Sequence, residues 1–271
     1  MNQYYAIVGL NPSKGARSPK LWNRVYKKLK IPIRMKCIDI PKNNFNLAVK
    51  KLLNDRNYLG GAITNPYKEN FFGIIKKNRI EYQALKAKSI NTIYKYKNKF
   101  YGANTDGEAA LKFLKSNCKN LENKKILILG FGGAGKAICS YLNHYVKNNI
   151  TVATRNIKLK KNIKKLNYNY INFNYIKNII TDMDIIINCT NAGHRSKETP
   201  LSKDIINLCT KKIFFDIIYQ PKKTTLLKLA EKKNTIYNGI EMNLLQAAIA
   251  FCKANNLKNL KKVYQIMRGF N

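Results

Sequence analysis

Apolar runs and helical patterns alternate along the first third of the chain. Residues 4–10 and 33–40 form short apolar runs that predict buried strands. Residues 18–30 lie between them and predict a helix, because apolar side chains recur there at helical spacing: Leu21, Trp22, Val25 and Leu29. A strand, a helix and a second strand in succession favour a parallel sheet with right-handed crossovers.

The start of this first helix carries two residues that are typical of helix N-termini. Ser18 is expected to be the N-cap, since its hydroxyl can accept a hydrogen bond from an N–H group of the first turn. Pro19 suits the first helical position, where its missing N–H would have no partner. We therefore predict that the helix begins here.

The alternation continues to residue 107 and then becomes more regular. The first part predicts a helix at 45–58, a strand at 60–64, and two β segments within 89–107 joined by the polar turn KYKNK. The second part predicts strands at 124–130, 149–155, 183–190 and 211–219, and helices at 108–117, 134–146, 224–233 and 241–256. No internal repeat and no Pro- or Ser-rich linker is evident, so the domain boundary is expected in a helix near residues 105–115.

Length and composition are those of a globular protein with one large or two medium domains. The 271 residues are 45% hydrophobic and 11% aromatic. The sequence has no run of about 18 apolar residues, the length that would be needed to span a membrane. The first residues predict a strand and not a signal peptide. Six cysteines without a CxxC pair and two distant histidines argue against a disulfide framework or a metal site, and they favour a reducing cytoplasm.

The formal net charge of +37 raises the possibility of nucleic-acid binding or of attraction to small anions. Only eight of the 51 basic residues are arginine, whereas proteins that read nucleic acids depend on arginine for bidentate contacts. The lysines are spread along the chain, and the residues of AT-rich codons, Lys, Asn and Ile, are all plentiful. We attribute the charge to compositional bias and expect no nucleic-acid partner.

The segment GFGGAG has the spacing of a dinucleotide-binding loop, with glycines at 130, 132 and 135. It follows a predicted strand directly and opens a predicted helix, which is the context in which glycines allow a tight turn and close approach of a pyrophosphate. The helix N-terminus then offers N–H groups and a positive dipole to the phosphates. A glycine-rich structural turn is the alternative.

The end of the next predicted strand indicates which dinucleotide is bound. An NAD-binding chain usually places Asp or Glu there to hold the ribose 2′-hydroxyl. This chain has Thr154, Arg155 and Asn156, with Lys158 close behind. An arginine suits a 2′-phosphate, so we predict NADP, with a solvated basic patch as the alternative.

Two short motifs, TNPYKEN at 64–70 and NTDG at 104–107, become informative in combination with this loop. Together with the glycine loop and further segments in the same order, these motifs make the chain resemble the shikimate dehydrogenase family over nearly its whole length. The matching segments, in chain order, are Ile63 to Lys68, Ile90 to Thr92, Asn104 to Gly107, the glycine loop, Thr154 to Asn156, Asn188 to Thr190, Asp216 to Tyr219 with Pro221, and finally Gly239, Met242 and Gln246.

The resemblance implies an α/β fold in two domains. Residues 1–106 would form an α/β substrate-binding catalytic domain with a mostly parallel sheet, completed by a C-terminal helix that returns to it within 240–271. Residues 107–239 would form a Rossmann-type NADP-binding domain. We expect a cytoplasmic monomer or homodimer.

The resemblance also implies reversible, NADP-dependent reduction of 3-dehydroshikimate to shikimate, a step of chorismate and aromatic amino-acid biosynthesis. Lys68 would be the acid–base group and Asp106 its partner. The implied substrate-binding residues are these two with Ser18, Thr64, Asn91, Tyr219 and Gln246. The implied cofactor-binding residues are Gly130, Phe131, Gly132, Gly133, Ala134, Thr154, Arg155, Asn156, Lys158, Thr190, Ile217, Gly239 and Met242. No metal is required.

Several positions depart from the family pattern. Ala16 and Trp22 replace a serine and a histidine of the pattern Ser-x-Ser-Pro-x-x-His-Asn, Ala62 replaces an asparagine, and Lys88-Ser89 replaces Gly-Ala. Losing one hydroxyl to a substrate carboxylate would cost about 1.5–3 kcal/mol, unless Lys14 or Arg17 compensates. The resemblance implies that changes at this position accompany altered substrate choice within the family, so quinate or another cyclic hydroxy acid is the alternative substrate. A cofactor-sensing or nucleic-acid-binding relative is disfavoured because Lys68 and Asp106 are both present.

Overall fold

A computed structural model describes residues 3–146 and 149–269. The chain divides into two compact units. The first contains the chain up to Asp106 and resumes at Leu244, and the second is Gly107–Asn243. The outer ends of the domains predicted from the sequence, at residues 1 and 271, lie outside the described residues.

The first unit is built on a five-stranded sheet with the strand order β2-β1-β3-β4-β5. Its elements are β1 (Tyr4–Gly9), α1 (Ser18–Lys28), β2 (Arg34–Asp39), α2 (Phe45–Asn54), β3 (Tyr58–Ile63), α3 (Lys68–Ile74), α4 (Tyr82–Ala87), β4 (Thr92–Tyr96) and β5 (Lys99–Ala103). Strand β1 pairs in parallel with both β2 and β3. Strands β4 and β5 form an antiparallel hairpin, and β4 also pairs antiparallel with β3. The sheet is therefore mixed.

This strand order brings distant parts of the chain to one edge of the first sheet. Strand β4 runs against both of its neighbours, so β5 points in the same direction as β3 and β1. The carboxyl ends of β1, β3 and β5 and the amino end of β4 therefore meet at the same edge. We call this the carboxyl edge of the first sheet.

The second unit has a six-stranded sheet in which every pairing is parallel. Helix α5 (Thr105–Asn117) leads into it, followed by β6 (Ile126–Leu129), α6 (Gly133–Val146), β7 (Ile150–Ala153), α7 (Lys160–Lys165), β8 (Asn169–Ile171), β9 (Ile185–Asn188), α8 (Lys203–Asn207), β10 (Ile213–Asp216), α9 (Thr225–Ala230) and β11 (Thr235–Tyr237). The strand order is β11-β10-β9-β6-β7-β8. Its central strands β6 and β9 are fully buried and, except for Asn188 at the end of β9, apolar, as expected for a parallel sheet covered on both faces.

Two C-terminal helices complete the chain, α10 (Ile240–Ala254) and α11 (Leu260–Arg268). Most of α10 and all of α11 belong to the first unit, where they pack against α1. The α/β fold and the returning C-terminal helix predicted from the sequence are thus confirmed. None of the described helices is long and apolar enough to cross a membrane.

The structure corrects several local predictions. Ser18 is not the N-cap of α1: Arg17 occupies that position, no side chain caps the helix, and Ser18 and Pro19 take the first two helical positions. The helix ends at Lys28, two residues earlier than predicted. Helix α2 ends at Asn54, because Asp55 is extended and its carboxylate accepts the N–H of Asn57 just before β3.

Candidate active site

Lys68 is held at the start of α3 by contacts of its own backbone and of the residue before it. Tyr67 is buried, and its ring centroid lies 4.5 Å from that of Phe45. The Tyr67 hydroxyl donates to the carbonyl oxygen of Ile40 at 2.6 Å, and burial raises the pKa of this phenol. The N–H of Ile90 donates to the carbonyl oxygen of Lys68 at 2.9 Å. The aromatic residue before the lysine therefore anchors the backbone that carries the amine.

Asp106 lies in the first turn of α5, directly after β5. The side-chain oxygen of Asn104 accepts its N–H at 3.1 Å. The amide nitrogen of Asn104 in turn donates to the carbonyl and hydroxyl oxygens of Ser89, at 3.0 and 3.2 Å. Both Asn104 and Ser89 are buried. Ser89, which sequence reasoning singled out only as a departure from the family pattern, is thus part of the support for Asp106.

The two predicted catalytic side chains meet at the carboxyl edge of the first sheet. Lys68 Nζ lies 2.6 Å from Asp106 Oδ2, and the side chains are 21% and 12% exposed. The pair is therefore largely shielded but still accessible to a ligand. An ammonium group held by a carboxylate at such an edge can give a proton to an oxygen that gains negative charge, and take it back in the reverse direction.

A second polar cluster lies at the same edge and is centred on Asn91. Its side-chain oxygen accepts the N–H of Thr105 at 2.8 Å and the hydroxyl of Thr92 at 2.9 Å. Its amide nitrogen donates to the Thr105 hydroxyl oxygen at 3.1 Å. The Thr105 hydroxyl also lies 3.3 Å from Gln246 Oε1, which brings the predicted residue of α10 into the cluster. The structure thus brings Asn91 and Gln246 together through Thr105, a residue that the sequence did not indicate as part of the site.

Thr64 and Ser18 follow two neighbouring strands at this edge. Thr64 comes directly after β3, where its N–H donates to the carbonyl oxygen of Val8 at 2.8 Å. A side chain at Gly9 of β1 would collide with that of Thr64, so the glycine makes room for the threonine. Ser18 is the first residue of α1 and is nearly buried.

The loop between β1 and α1 is fixed by a carboxylate at the end of β2. The Asp39 side chain accepts the N–H of Ser13 at 3.0 Å and also the Ser13 hydroxyl. These hydrogen bonds lower the pKa of Asp39. Further along the loop, Ala16 packs against an apolar cluster. The serine expected at that position by the family pattern is therefore replaced by an apolar contact.

The glycine loop of the second unit fits a pyrophosphate. Gly130 follows β6 with φ +94°, a conformation that favours glycine, and a side chain at Gly135 would collide with the Gly130 carbonyl. By contrast, no described atom lies within 4 Å of the place where a side chain at Gly132 would project, so the backbone is open there. The loop runs into the first turn of α6, whose N–H groups have no earlier helical carbonyl to bind.

The segment after β7 exposes two cationic side chains, those of Arg155 and Lys158. The Thr154 hydroxyl oxygen accepts the N–H of Asn156 at 3.2 Å, and the Asn156 side chain accepts the N–H of Lys158 at 3.1 Å. Arg155 and Lys158 are exposed on this turn. No acidic residue occurs between Thr154 and Lys165. The donor set therefore fits a ribose 2′-phosphate better than a ribose 2′-hydroxyl.

The remaining predicted cofactor residues lie after β9 and β10 and at the start of α10. Thr190 follows β9, Ile217 follows β10, and Gly239 precedes α10. The N–H of Gly239 donates to the carbonyl oxygen of Ile218 at 3.0 Å, and a side chain at Gly239 would collide with the Ile217 carbonyl. The glycine is therefore needed for this close approach.

The two units divide the predicted residues between them. The first holds Ser18, Thr64, Lys68, Asn91, Asp106 and Gln246, and the second holds Tyr219 and all the cofactor residues. The Phe131 side chain is buried, with its ring centroid 6.1 Å from that of Tyr168, which leaves only its backbone for a cofactor. Met242 is buried as well. No group of three or more potential metal ligands occurs among the described residues.

Comparison with family models matches both units. Residues 7–93 match the model described as the shikimate dehydrogenase substrate binding domain. Residues 112–226 match the model described as shikimate / quinate 5-dehydrogenase.

Individual relatives cover almost the whole chain. A Staphylococcus aureus protein named shikimate dehydrogenase (NADP(+)) is 35% identical over 251 residues, which is 91% of this chain and 90% of that protein. The crystal structure of shikimate dehydrogenase 1 from Peptoclostridium difficile is 27% identical, with a TM-score of 0.82 and coverage of 99% and 98%. The crystal structure of shikimate dehydrogenase from Aquifex aeolicus is 26% identical, with a TM-score of 0.84 and coverage of 98% and 97%.

Proposed function

The chain belongs to the shikimate dehydrogenase family, and from this premise we propose how its residues carry out the NADP-dependent, reversible reduction of 3-dehydroshikimate to shikimate. The first unit binds the substrate, and the second binds the cofactor. The reaction is a step of aromatic amino-acid biosynthesis. The observation that carries the proposal is the contact of 2.6 Å between Lys68 and Asp106 at the edge where Asn91, Thr105 and Gln246 converge.

Lys68 acts as the acid–base group in this mechanism. Bound NADPH supplies the hydride for the ketone carbon. The Lys68 ammonium donates a proton to the oxygen that becomes the new hydroxyl, and in the reverse direction the neutral amine accepts it. Asp106 keeps the amine directed at this oxygen and can accept a hydrogen bond from a ring hydroxyl. Thr64, Asn91 and Gln246 bind other polar groups of the substrate, while Ser18 faces its carboxylate.

The preference for NADP rests on the turn after β7. Arg155 and Lys158 supply positive charge to the 2′-phosphate, and Thr154 and Asn156 shape the turn through their own hydrogen bonds. The pyrophosphate binds over the open backbone of Gly132 and the first turn of α6. Thr190, Ile217, Gly239 and Met242 line the nicotinamide end.

Quinate is the second candidate substrate, and a specific observation favours it. Ala16 packs against apolar side chains where the family pattern has a hydroxyl. The Trp22 indole N–H, at the histidine position of that pattern, is buried without a hydrogen-bond partner. The end of the site that would bind the carboxylate is therefore less polar than the family pattern, and the ring substituents accepted there can differ.

The absence of disulfide bonds among the described residues supports a reducing compartment, and on this basis we propose a cytoplasmic location. The six cysteines all lie in the described part of the chain, and none is joined to another by a disulfide bond. Burial raises the pKa of the Cys139 thiol well above its ordinary value, and that of Cys209 to about 11. Thiols with such pKa values remain protonated and poorly reactive at neutral pH.

The proposal is tested by the rate of NADP+ reduction with shikimate and with quinate under identical conditions. Lys68→Met should lower kcat with shikimate by about 10²- to 10⁴-fold, the usual contribution of a positioned proton donor. Lys50→Met, at an exposed position of α2, is the matched control and should leave the rate unchanged.

Unchanged turnover in Lys68→Met would contradict the catalytic assignment. A higher kcat/KM for quinate than for shikimate would replace the first substrate by the second. Turnover with NAD+ equal to that with NADP+ would overturn the role of Arg155.

A further inference from the structure

A buried carboxylate, that of Asp216, lies at the carboxyl end of β10 in the second unit. Asp216 has no exposed surface. Its Oδ1 accepts the side-chain N–H of Asn188 at 3.1 Å and the backbone N–H of Ile218 at 3.0 Å. Its Oδ2 accepts the hydroxyl of Thr224 at 2.7 Å. Three donors from three different segments thus converge on one side chain that the mechanism above does not use.

One of these donors, Asn188, connects Asp216 with the glycine loop. Asn188 is paired with Asp216 in the register of β9 and β10. The Asn188 side-chain oxygen accepts the N–H and the hydroxyl of Thr190, at 3.0 and 2.7 Å. The methyl group of Thr190 lies 3.0 Å from the place where a side chain at Gly130 would project, so it packs directly on the glycine loop. Asp216 therefore reaches the loop through two residues.

The second donor, the backbone N–H of Ile218, connects Asp216 with the segment after β10. The Ile218 N–H fixes the turn that carries Ile217. The carbonyl oxygen of Ile218 accepts the N–H of Gly239, which precedes α10. Thr190, Ile217 and Gly239, the residues proposed for the nicotinamide end, are thus all connected to the Asp216 carboxylate by one or two hydrogen-bonded steps.

We propose that Asp216 is a positioning residue, which fixes the loops after β9 and β10 in the arrangement that binds the nicotinamide end of NADP. This inference rests on the proposed function and adds a residue that need not touch the cofactor. Thr224, at the N-cap of α9, has the supporting role of holding the second carboxylate oxygen.

Replacing Asp216 by asparagine separates the effect of the side chain's shape from the effect of its charge. Burial raises the pKa of Asp216, and the three donated hydrogen bonds oppose this shift. An asparagine side chain can accept from Asn188 and Ile218 with its oxygen and donate to the Thr224 hydroxyl oxygen with its nitrogen. Asp216→Asn should therefore preserve the arrangement, whereas Asp216→Ala removes it.

Calorimetric titration with two probes tests the inference. NADPH spans the whole cofactor site, and adenosine 2′,5′-bisphosphate occupies only the end that binds the 2′-phosphate. In Asp216→Ala the Kd for NADPH should rise by about tenfold or more, while the Kd for the bisphosphate stays within about twofold of that of the unmodified protein. Asp216→Asn should restore NADPH affinity.

The matched control is Asp184→Ala. Asp184 also accepts a backbone N–H, that of Lys125 at 2.8 Å, but it precedes β9 at the opposite edge of the same sheet. Its removal should leave both affinities unchanged. If Asp216→Ala fails to fold, Thr224→Val decides the question. It keeps the carboxylate and removes the hydroxyl that donates to it, together with the weak N-cap contact of that hydroxyl with the N–H of Leu227 at 3.5 Å. It should raise the Kd for NADPH by about threefold.

A parallel rise of both Kd values, or no rise for NADPH, would overturn the positioning role. Failure of the proposed function would be visible earlier and separately, since the unmodified protein would then neither bind NADPH nor oxidise shikimate.

Discussion

At the scale of single residues, the strained backbone at Lys88 shows how this chain departs from its family pattern. Lys88 ends α4 with φ +49° and ψ +41°, the left-handed conformation, at a position where the pattern has glycine. The N–H groups of Lys88 and Ser89 still bond to the last carbonyls of the helix, at 3.2 and 3.3 Å. The turn is therefore formed, but by a residue whose Cβ disfavours it. Ser89, directly after it, contacts Asn104 and so supports Asp106.

Lys88→Gly should raise the free energy of unfolding by about 0.5–1 kcal/mol, because glycine adopts this conformation without steric cost. Urea unfolding followed by circular dichroism measures the change. Lys50→Gly, in the interior of α2, is the control and should lower stability by about 1 kcal/mol. Equal destabilisation by both substitutions would show that the left-handed residue costs nothing here.

At the scale of elements, the packing of α1 against α10 and α11 forms one of the apolar clusters of the first unit. The Trp22 ring is fully buried, with its centroid 5.4 Å from that of Tyr5 and 5.2 Å from that of Phe251. Tyr26 of α1 lies 4.8 Å from the same Phe251 ring. Aromatic side chains thus hold α1 and α10 together. The apolar ring contacts are made at the expense of the Trp22 N–H, which is left without a partner.

Trp22→Ala should lower the free energy of unfolding by about 3–5 kcal/mol, the usual cost of removing a buried indole. Trp22→Phe should cost distinctly less, since it keeps the ring contacts and removes an unpaired N–H whose burial costs about 1–3 kcal/mol. Chemical denaturation of both variants gives the comparison. If phenylalanine proved as damaging as alanine, the N–H would have a partner in solution.

The elements also show how far the sequence predicts this molecule. Long or fully buried segments such as β6 and α10 follow from periodicity, and the fold class follows from their order. Helix α4 and strand β11 were not predicted, because six and three residues contain too little periodicity. The sequence also does not bring Lys68 and Asp106 together, since their contact depends on β4 lying between β3 and β5. Motif resemblance supplied that pairing, and the functional roles stay predictions.

At the scale of the whole molecule, the excess of positive charge acts on stability and on ligand binding in opposite directions. The chain has 51 basic and 14 acidic residues, so most lysines repel one another. Pairs such as Lys253 with Glu81, at 2.9 Å, offset only part of this repulsion. The same charge attracts an anionic cofactor and an anionic substrate.

Raising the NaCl concentration from about 0.02 M to about 0.5 M should therefore raise the melting temperature, because it screens repulsion between cations. The KM for NADP+ should rise over the same range, since the attraction is screened as well. Scanning calorimetry and initial rates follow the two trends. KCl at equal ionic strength should reproduce both curves, and stabilisation by sulfate alone would instead indicate binding of a specific anion.

The return of the C-terminal helices to the first unit has a consequence for the order in which the protein is made. Leu244, Phe251, Val263 and Met267 share one apolar core with Tyr5 and Trp22. During synthesis, the strands before residue 107 are made earlier than the helices after residue 243 that complete their core, whereas Gly107–Asn243 contains every strand of its own sheet. The second unit is therefore expected to mature first, whereas the first unit, whose strands are synthesised earlier, is completed last.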